Sequence, residues 1–365
     1  MKTAVVYDFL FTKGGMDRST AIMARGFKAD IWTTLYVPDT TYPELRKMKV
    51  FDHPLAVRRR GLMQLEAILR FRKMDLSGYD LIITSGDWAK HVGMREKNHP
   101  QLHFENTVVR PIYDLYEFIK GRYSTPRRQA FQAWAWFMRR LDQQAVRKID
   151  RFACNSEITK QRIRKFYGRD ADVVGVPVNV KRFRHREAED FFLSVQRIAP
   201  PKRVEVQIDA FRELPNERLL IVGAFDDEGY AEFLKKAAPK NVKFIGPVSD
   251  EKLVDLYSRC KAAIQTSVDE DFGQVPIEAM ASGKPTIAVN EGGFKYTVTP
   301  GKTGVLINKP YAKNLVAAIK GFSRHRFDPK FCQKMAENHS EEKWIENLKA
   351  AAAKTLEEFK SGGTA

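Results

Sequence analysis

The stretch Ala262-Ala-Ile-Gln-Thr-Ser-Val-Asp-Glu270-Asp-Phe-Gly-Gln-Val-Pro-Ile-Glu278-Ala-Met-Ala-Ser-Gly283-Lys-Pro285-Thr-Ile-Ala-Val289 decides how this chain folds. It opens with a short apolar run, Ala262 to Thr266, and passes through an acidic loop that carries Glu270. A helical segment follows, with Pro276 suited to its first turn and Gly283 to its end. A second β-branched run, Pro285 to Val289, comes directly after it. Strand, helix and strand joined this closely make a crossover unit, with parallel strands and the helix laid over the sheet.

The same alternation extends in both directions. Toward the C-terminus it predicts a strand at Gly304 to Ile307, and toward the N-terminus strands at Val242 to Ile245, Arg218 to Val222 and Phe191 to Val195. The first half repeats the pattern at Thr3 to Tyr7, Asp30 to Leu35, Leu81 to Thr84, His103 to Asn106, Arg151 to Cys154 and Asp172 to Gly175. Runs of this kind separated by helical patterns specify α/β architecture with parallel sheets. A chain of 365 residues exceeds one ordinary core and suits two domains of about 150 to 200 residues.

The stretch Val176-Pro177-Val178-Asn179-Val180 lacks helical period and leads into the basic, polar residues Lys181 to Asp190, so a linker is predicted near residue 180. The expected layout is therefore one domain over 1–180, a second domain over 181–338, and a C-terminal surface helix with a frayed tail over 339–365. Two doubly wound sheets joined in this way face one another across a cleft, and ligands of such sheets sit beyond the carboxyl ends of the strands.

The net charge of +17 is unevenly spread. Residues 1–180 hold 32 Lys and Arg against 19 Asp and Glu, whereas residues 181–365 hold 30 against 26. An excess this one-sided predicts an anionic partner for the first half: an acidic lipid surface, a phosphorylated acceptor, or nucleic acid. Two basic stretches there also have apolar helical spacing. Leu55 to Met74 places Leu62, Leu65, Ile68 and Leu69 on one side with Arg58, Arg59, Arg60, Arg70, Arg72 and Lys73 at its ends. Residues 124–148 set Trp134, Trp136, Phe137 and Met138 beside Arg127, Arg128, Arg139, Arg140, Arg147 and Lys148. Each reads either as a membrane-surface helix or as a core-packing helix with a solvated basic face. No nucleic-acid motif accompanies the charge.

Cys154, Cys260 and Cys332 are widely spaced and form no metal or disulfide framework. No leader pattern precedes Thr3 and no run of about 18 apolar residues occurs, so a cytoplasmic protein is expected, peripheral at the inner face of a membrane where the basic half meets lipid.

Three segments carry candidate chemistry. Glu270 on the loop and Glu278 inside the following helix can face one pocket, where carboxylates accept the hydroxyl hydrogens of ribose or hexose. The amides around Phe272, Gly273 and Gln274 suit a diphosphate. In Ser194-Val195-Gln196-Arg197-Ile198-Ala199-Pro200-Pro201-Lys202-Arg203, Arg197 and Lys202 are expected at the end of a strand, where two cations can hold a pyrophosphate leaving group. Gly14-Gly15 after the first strand permits close backbone approach to a ligand.

Taken in order, Gly14-Gly15-Met-Asp17-Arg18, Asn155-Ser156, Arg197 with Lys202-Arg203, Val242-Lys-Phe-Ile-Gly246, Glu270 through Gly283, and Gly292-Gly293 resemble the retaining nucleotide-sugar transferases of glycosyltransferase family 4. The resemblance covers nearly the whole chain and implies two Rossmann-like domains of the GT-B type, with the donor held by the C-terminal one. It implies that Arg197 and Lys202 bind the diphosphate, Glu278 the ribose, and Glu270 with the Phe272, Gly273 and Gln274 backbone the donor sugar. Gly246 and Val248 would lie near the base, and Gly14 and Gly15 near the phosphates. The partners it implies are a nucleotide sugar and a glycan or lipid-phosphate acceptor, with no metal or other cofactor.

Two departures from the family pattern stand out. Asp17 occupies a position where the family commonly has glutamate. The segment Asn106-Thr107-Val-Val-Arg110-Pro-Ile-Tyr113-Asp114 resembles the acceptor-side segment of mannosyltransferase-like members, which implies GDP-mannose as donor and places Asn106, Arg110 and Asp114 on the acceptor side. The family histidine is Asn106 here, a side chain that forms hydrogen bonds but takes up no proton near neutrality. That replacement supports a second reading, a sugar-nucleotide-binding relative without transferase activity.

Overall fold

A computed structural model describes residues 1–56, 62–92, 94 and 99–362. The chain forms two compact units, one of residues 1–175 with the segment from Trp344 onward, the other Val176–Lys343.

The first unit holds a seven-stranded sheet of β1 (Thr3–Tyr7), β2 (Asp30–Thr33), β3 (Val50–Asp52), β4 (Leu81–Ser85), β5 (Gln101–Glu105), β6 (Arg151–Cys154) and β7 (Ala171–Val173). Their spatial order is β3-β2-β1-β4-β5-β6-β7, and all pairs are parallel. The second unit holds six parallel strands: β8 (Phe192–Val195), β9 (Leu219–Val222), β10 (Val242–Gly246), β11 (Ala263–Gln265), β12 (Thr286–Val289) and β13 (Gly304–Ile307), ordered β10-β9-β8-β11-β12-β13. Both are doubly wound sheets. Their order reverses between β1 and β4 in the first and between β8 and β11 in the second, where ligand crevices form in such folds.

Side chains alternate across each strand, and helices cover both faces, so adjacent residues enter different cores. Val5, Ile31, Ile83 and Phe104 fill one layer of the first unit, while Ala4, Val6, Ile82 and Phe152 fill the other. In the second unit Phe192, Ile221 and Ile264 pack opposite Leu193, Val222 and Ala263. Cys154, Cys260 and Cys332 are free and buried.

Several expectations change here. The short strand β3 has no counterpart among the expected strands, because three residues beside Lys49 show too little alternation to register. The stretch expected as a linker is folded into the second unit: Val176 and Val178 are buried with Phe183 in its core, so the break falls at Gly175. The C-terminal helix, Glu341–Lys360, is a core element of the first unit rather than a surface addition. Trp344, Leu348, Ala351 and Ala352 are buried in its layer, and the Trp344 indole N–H donates to the Gly175 carbonyl at 3.0 Å.

The basic helix of the first stretch runs Leu62–Lys73 and buries Ala67, Ile68 and Phe71, leaving Leu62 and Leu69 more than half exposed. Phe71 sets the buried face, one position away from the stripe expected from the leucines. Arg58, Arg59 and Arg60 lie outside the described residues. The second basic stretch forms the helix Arg127–Val146, which buries Ala135 and Met138 and exposes Trp136 and Phe137. Among the described residues no helix is long and apolar enough to cross a membrane.

Candidate nucleotide-sugar site

In the second unit the loops after β8 and β11 lie side by side at the switch point. The first turns through a short 3-10 segment, Pro200–Lys202, and reaches the helix Val204–Arg212 by way of Arg203, whose φ of 50° is left-handed. The second carries Asp269, also left-handed at φ 44°, and enters the helix Gln274–Ala281. Left-handed conformations in residues other than glycine are strained and gather at binding sites. Four contacts fix the pair of loops. The Thr266 hydroxyl lies 2.9 and 3.1 Å from the Lys202 and Arg203 carbonyls, Gln207 Nε2 donates to that hydroxyl at 2.8 Å, and the Val268 N–H donates to Pro201 at 2.8 Å.

This stitching brings the Lys202 ammonium to 2.5 Å from Glu270 Oε2. Arg203 pairs with Glu291 at 2.8 Å, and the exposed Arg197 pairs with Asp226 on the loop after β9 at 3.3 Å. Arg197 and Lys202 are thus each held by a separate carboxylate. Glu278 lies within the helix, where its Oε2 accepts the Tyr257 hydroxyl at 2.7 Å and its Oε1 lies 3.7 Å from Arg182. Burial and the charge of Glu278 raise the Tyr257 phenol well above its ordinary range, which keeps it a donor. Sequence reasoning singled out neither Tyr257 nor Arg182, which belong to no recognisable motif.

Glycines set the remaining geometry. Gly292 has φ +52°, and a Cβ there would meet the Glu270 carbonyl oxygen at 2.4 Å; one on Gly293 would meet the Phe272 carbonyl oxygen at 2.4 Å. The Gly293 N–H donates to the Glu270 carbonyl at 2.6 Å. No side chain caps the helix that begins at Gln274, which leaves its first-turn amides suited to an anion. Phe272 is itself buried, edge-on to His339 at 5.5 Å, so its backbone rather than its ring borders the loop. Gln274 is exposed; Gly246, at φ +78°, ends β10 with open space around it, and Val248 is partly buried.

In the first unit a cavity of about 430 Å³ lies beyond the ends of β1, β4 and β5, and Asn106, Thr12 and Asp17 are among its lining residues. Gly14 precedes the helix that starts at Gly15, and Asp17 accepts the Thr12 N–H at 3.0 Å. Burial pushes the Asp17 carboxyl up to about 6. The Asn106 carbonyl accepts from Asn155 Nδ2 at 2.9 Å and the Thr159 hydroxyl at 3.0 Å, while Ser156 caps the helix Glu157–Tyr167. Asn155-Ser156 therefore positions Asn106. Arg110 and Asp114 form an ion pair at 3.0 Å that Arg162 joins at 3.3 Å, and neither lines this cavity. His103 is fully buried inside β5, with Thr84 at 2.8 Å and Glu105 at 3.3 Å.

Two doubly wound parallel sheets, one in each unit, define the class of fold to which this chain conforms. Solved structures match it over nearly the entire length. A lipopolysaccharide outer core galactosyltransferase has TM-score 0.73 at 17% identity, covering 96% of this chain and 99% of its own. Anabaena HepE in complex with UDP has TM-score 0.74 at 18% identity, covering 98% and 100%.

Residues 176–342, nearly all of the second unit, match the family model for glycosyl transferases group 1. Among curated relatives, the D-inositol 3-phosphate glycosyltransferase of Mycolicibacterium smegmatis is 31% identical over 189 residues, which is 46% of this chain and 44% of the relative. The second such enzyme of Catenulispora acidiphila is 30% identical over 210 residues, 49% of each chain. The chain thus spans about half the length of the curated relatives it matches.

Proposed function

We propose that this chain is a retaining, metal-independent transferase that moves a hexose from a nucleoside-diphosphate sugar to a glycan or lipid-linked acceptor. The observation that carries this reading is the arrangement around the uncapped helix Gln274–Ala281: Lys202 against Glu270 at its mouth and Glu278 held by Tyr257 inside it. Lys202 and Arg197 neutralise charge developing on the diphosphate as the glycosidic bond breaks, which takes the place of a divalent ion. Glu278 accepts the ribose hydroxyls, and Glu270 with the Phe272 to Gln274 backbone orients the hexose. Attack from the same face as departure needs no enzymatic nucleophile, and none is assigned.

The GDP-mannose expectation rests on the segment from Asn106 to Asp114, whereas a solved HepE structure contains UDP-glucose, so both belong in any donor panel. Initial rates test the site: Lys202→Ala is expected to cost about 2 to 4 kcal/mol of transition-state stabilisation, and an unchanged rate would remove Lys202 from it.

The basic first unit adds an anionic bilayer surface as partner and the inner face of the membrane as location. Residues 116–148 carry eight Lys or Arg, against Glu117 and the buried Asp142, and they expose Phe118, Trp136 and Phe137. Co-sedimentation with anionic vesicles at low salt is expected, and to weaken in the pair Trp136→Ala with Phe137→Ala; absence of binding would remove this part. The second reading, a relative that binds sugar nucleotides without transfer, is favoured by Asn106 alone. Transfer by Asn106→His but not by the parent chain would establish it.

A further inference from the structure

In the helix Gln274–Ala281, Pro276, Ile277, Ala279, Met280 and Ala281 are all buried, and Glu278 is the one charged residue. Its side chain is 17% exposed. A carboxylate set among apolar neighbours costs free energy unless donors and cations meet it. Here they come from two other parts of the second unit.

The first is the helix Asp250–Arg259. Tyr257 is fully buried there, its hydroxyl donates to Glu278 Oε2 at 2.7 Å, and its ring stands edge-on to Phe183 at 5.8 Å. The second is Arg182, whose guanidinium lies over the Phe183 ring at 4.8 Å, donates to Asp250 Oδ2 at 2.9 Å and reaches Glu278 Oε1 at 3.7 Å. Each oxygen of the carboxylate therefore has its own neighbour. Asp250 and Tyr257, seven residues apart, share one face of their helix. That helix begins directly after Gly246 to Val248, with Ser249 capping it by accepting the Lys252 N–H at 3.3 Å. Arg182 and Tyr257 thus tie the segment expected near the base to the carboxylate expected at the ribose.

A core tyrosine that only needs an acceptor is served as well by a backbone carbonyl, without the cost of a charge among apolar side chains. What a carboxylate adds is capacity: it has about four acceptor sites, so one oriented by a phenol can still receive two adjacent hydroxyls. The rigid ring of Tyr257, packed against Phe183, fixes that orientation before any ligand arrives.

We propose that Tyr257 is a positioning residue for ribose recognition, its hydroxyl holding Glu278 in the orientation that receives the 2′ and 3′ hydroxyls of a nucleoside diphosphate. Arg182 steadies the other oxygen. Tyr257 itself touches no substrate and acts through Glu278. The proposal rests on the assignment of Glu278 to the ribose made above.

Calorimetric titration of the complete protein with UDP, GDP and ADP, each beside its 2′,3′-dideoxy counterpart, tests it. The parent chain is expected to bind one of the three at least about tenfold tighter than its dideoxy counterpart, the effect of one charge-assisted contact. Tyr257→Phe keeps the buried ring and removes only the hydroxyl. It is expected to lower that ratio at least about threefold while the dideoxy affinity, which reports an intact pocket on the same sample, stays within about twofold of the parent's. Glu278→Ala is expected to bring the ratio close to one. Tyr230→Phe breaks a bond of the same kind, Tyr230 hydroxyl to Glu205 Oε2 at 2.7 Å, and is expected to leave the ratio unchanged. An unchanged ratio in Tyr257→Phe, an equal loss of affinity for both members of the pair, or an equal fall in Tyr230→Phe would overturn the proposal. A ratio near one in the parent chain, one that survives in Glu278→Ala, or no binding by any of the three would overturn the ribose assignment and the proposal with it, so the two failures are distinguishable.

Discussion

Asp87 shows how a single carboxyl makes stability depend on pH. Its raised pKa means that the folded protein holds a proton which the unfolded chain releases near pH 4. Its contribution to stability is therefore complete below pH 4 and is lost as pH rises through about 7. Denaturant titrations between pH 4 and 8 are expected to show a shallower decline for Asp87→Asn than for the parent chain, whereas equal slopes would mean that Asp87 titrates normally. At this scale the sequence was legible where a motif exists: Glu270, Glu278 and Lys202 lie on the loops and helix expected of them. It was silent on Asp8, Asp87 and Tyr257. Their surroundings are made by residues 79 to 81 positions away for Asp8 and 21 positions away for Tyr257, which no local pattern encodes.

The loops at the end of the second sheet are ordered by backbone contact more than by side chains. Gly292 is left-handed and touches Glu270 with no room for a Cβ, so Gly292→Ala must move one loop away from the other. The expected cost is about 1 to 3 kcal/mol of stability, accompanied by weaker nucleotide-sugar binding. Gly301 has φ +74° with open space around it and serves as the control: Gly301→Ala is expected to lose stability without losing binding. Equal loss of binding in both variants would show that the approach of the Gly292 turn to Glu270 has no particular role. Twelve of the strands were legible because buried parallel strands leave short runs of branched residues between helical patterns. The basic helices were legible as helices but not in their orientation. Leu62, Leu69, Trp136 and Phe137 are exposed although they are the residues hydropathy would bury first.

For the molecule as a whole, the chain builds most of one unit, completes the second, and returns to the first through the helix Glu341–Lys360. Its abundance of Ala, Glu and Lys reads as a surface helix, and only the spacing of Trp344, Leu348, Ala351 and Ala352 betrays a packed face. Trp344 is 1% exposed and packs edge-on to Phe104 at 5.4 Å, so Trp344→Ala is expected to cost about 3 to 5 kcal/mol and to lower the unfolding temperature of the first unit. A loss under about 1 kcal/mol would show that the helix contributes little to that core.

The central claim is that the second unit binds a nucleoside-diphosphate sugar through Lys202, Glu270 and Glu278. Calorimetric binding of UDP-, GDP-, ADP- and dTDP-hexoses to the parent chain, Glu278→Ala and Lys202→Ala tests it most directly. Selective, saturable binding of one nucleotide class, lost in both variants while their folds persist, is the expected result. Binding that is absent throughout the panel, or unchanged in both variants, would contradict it.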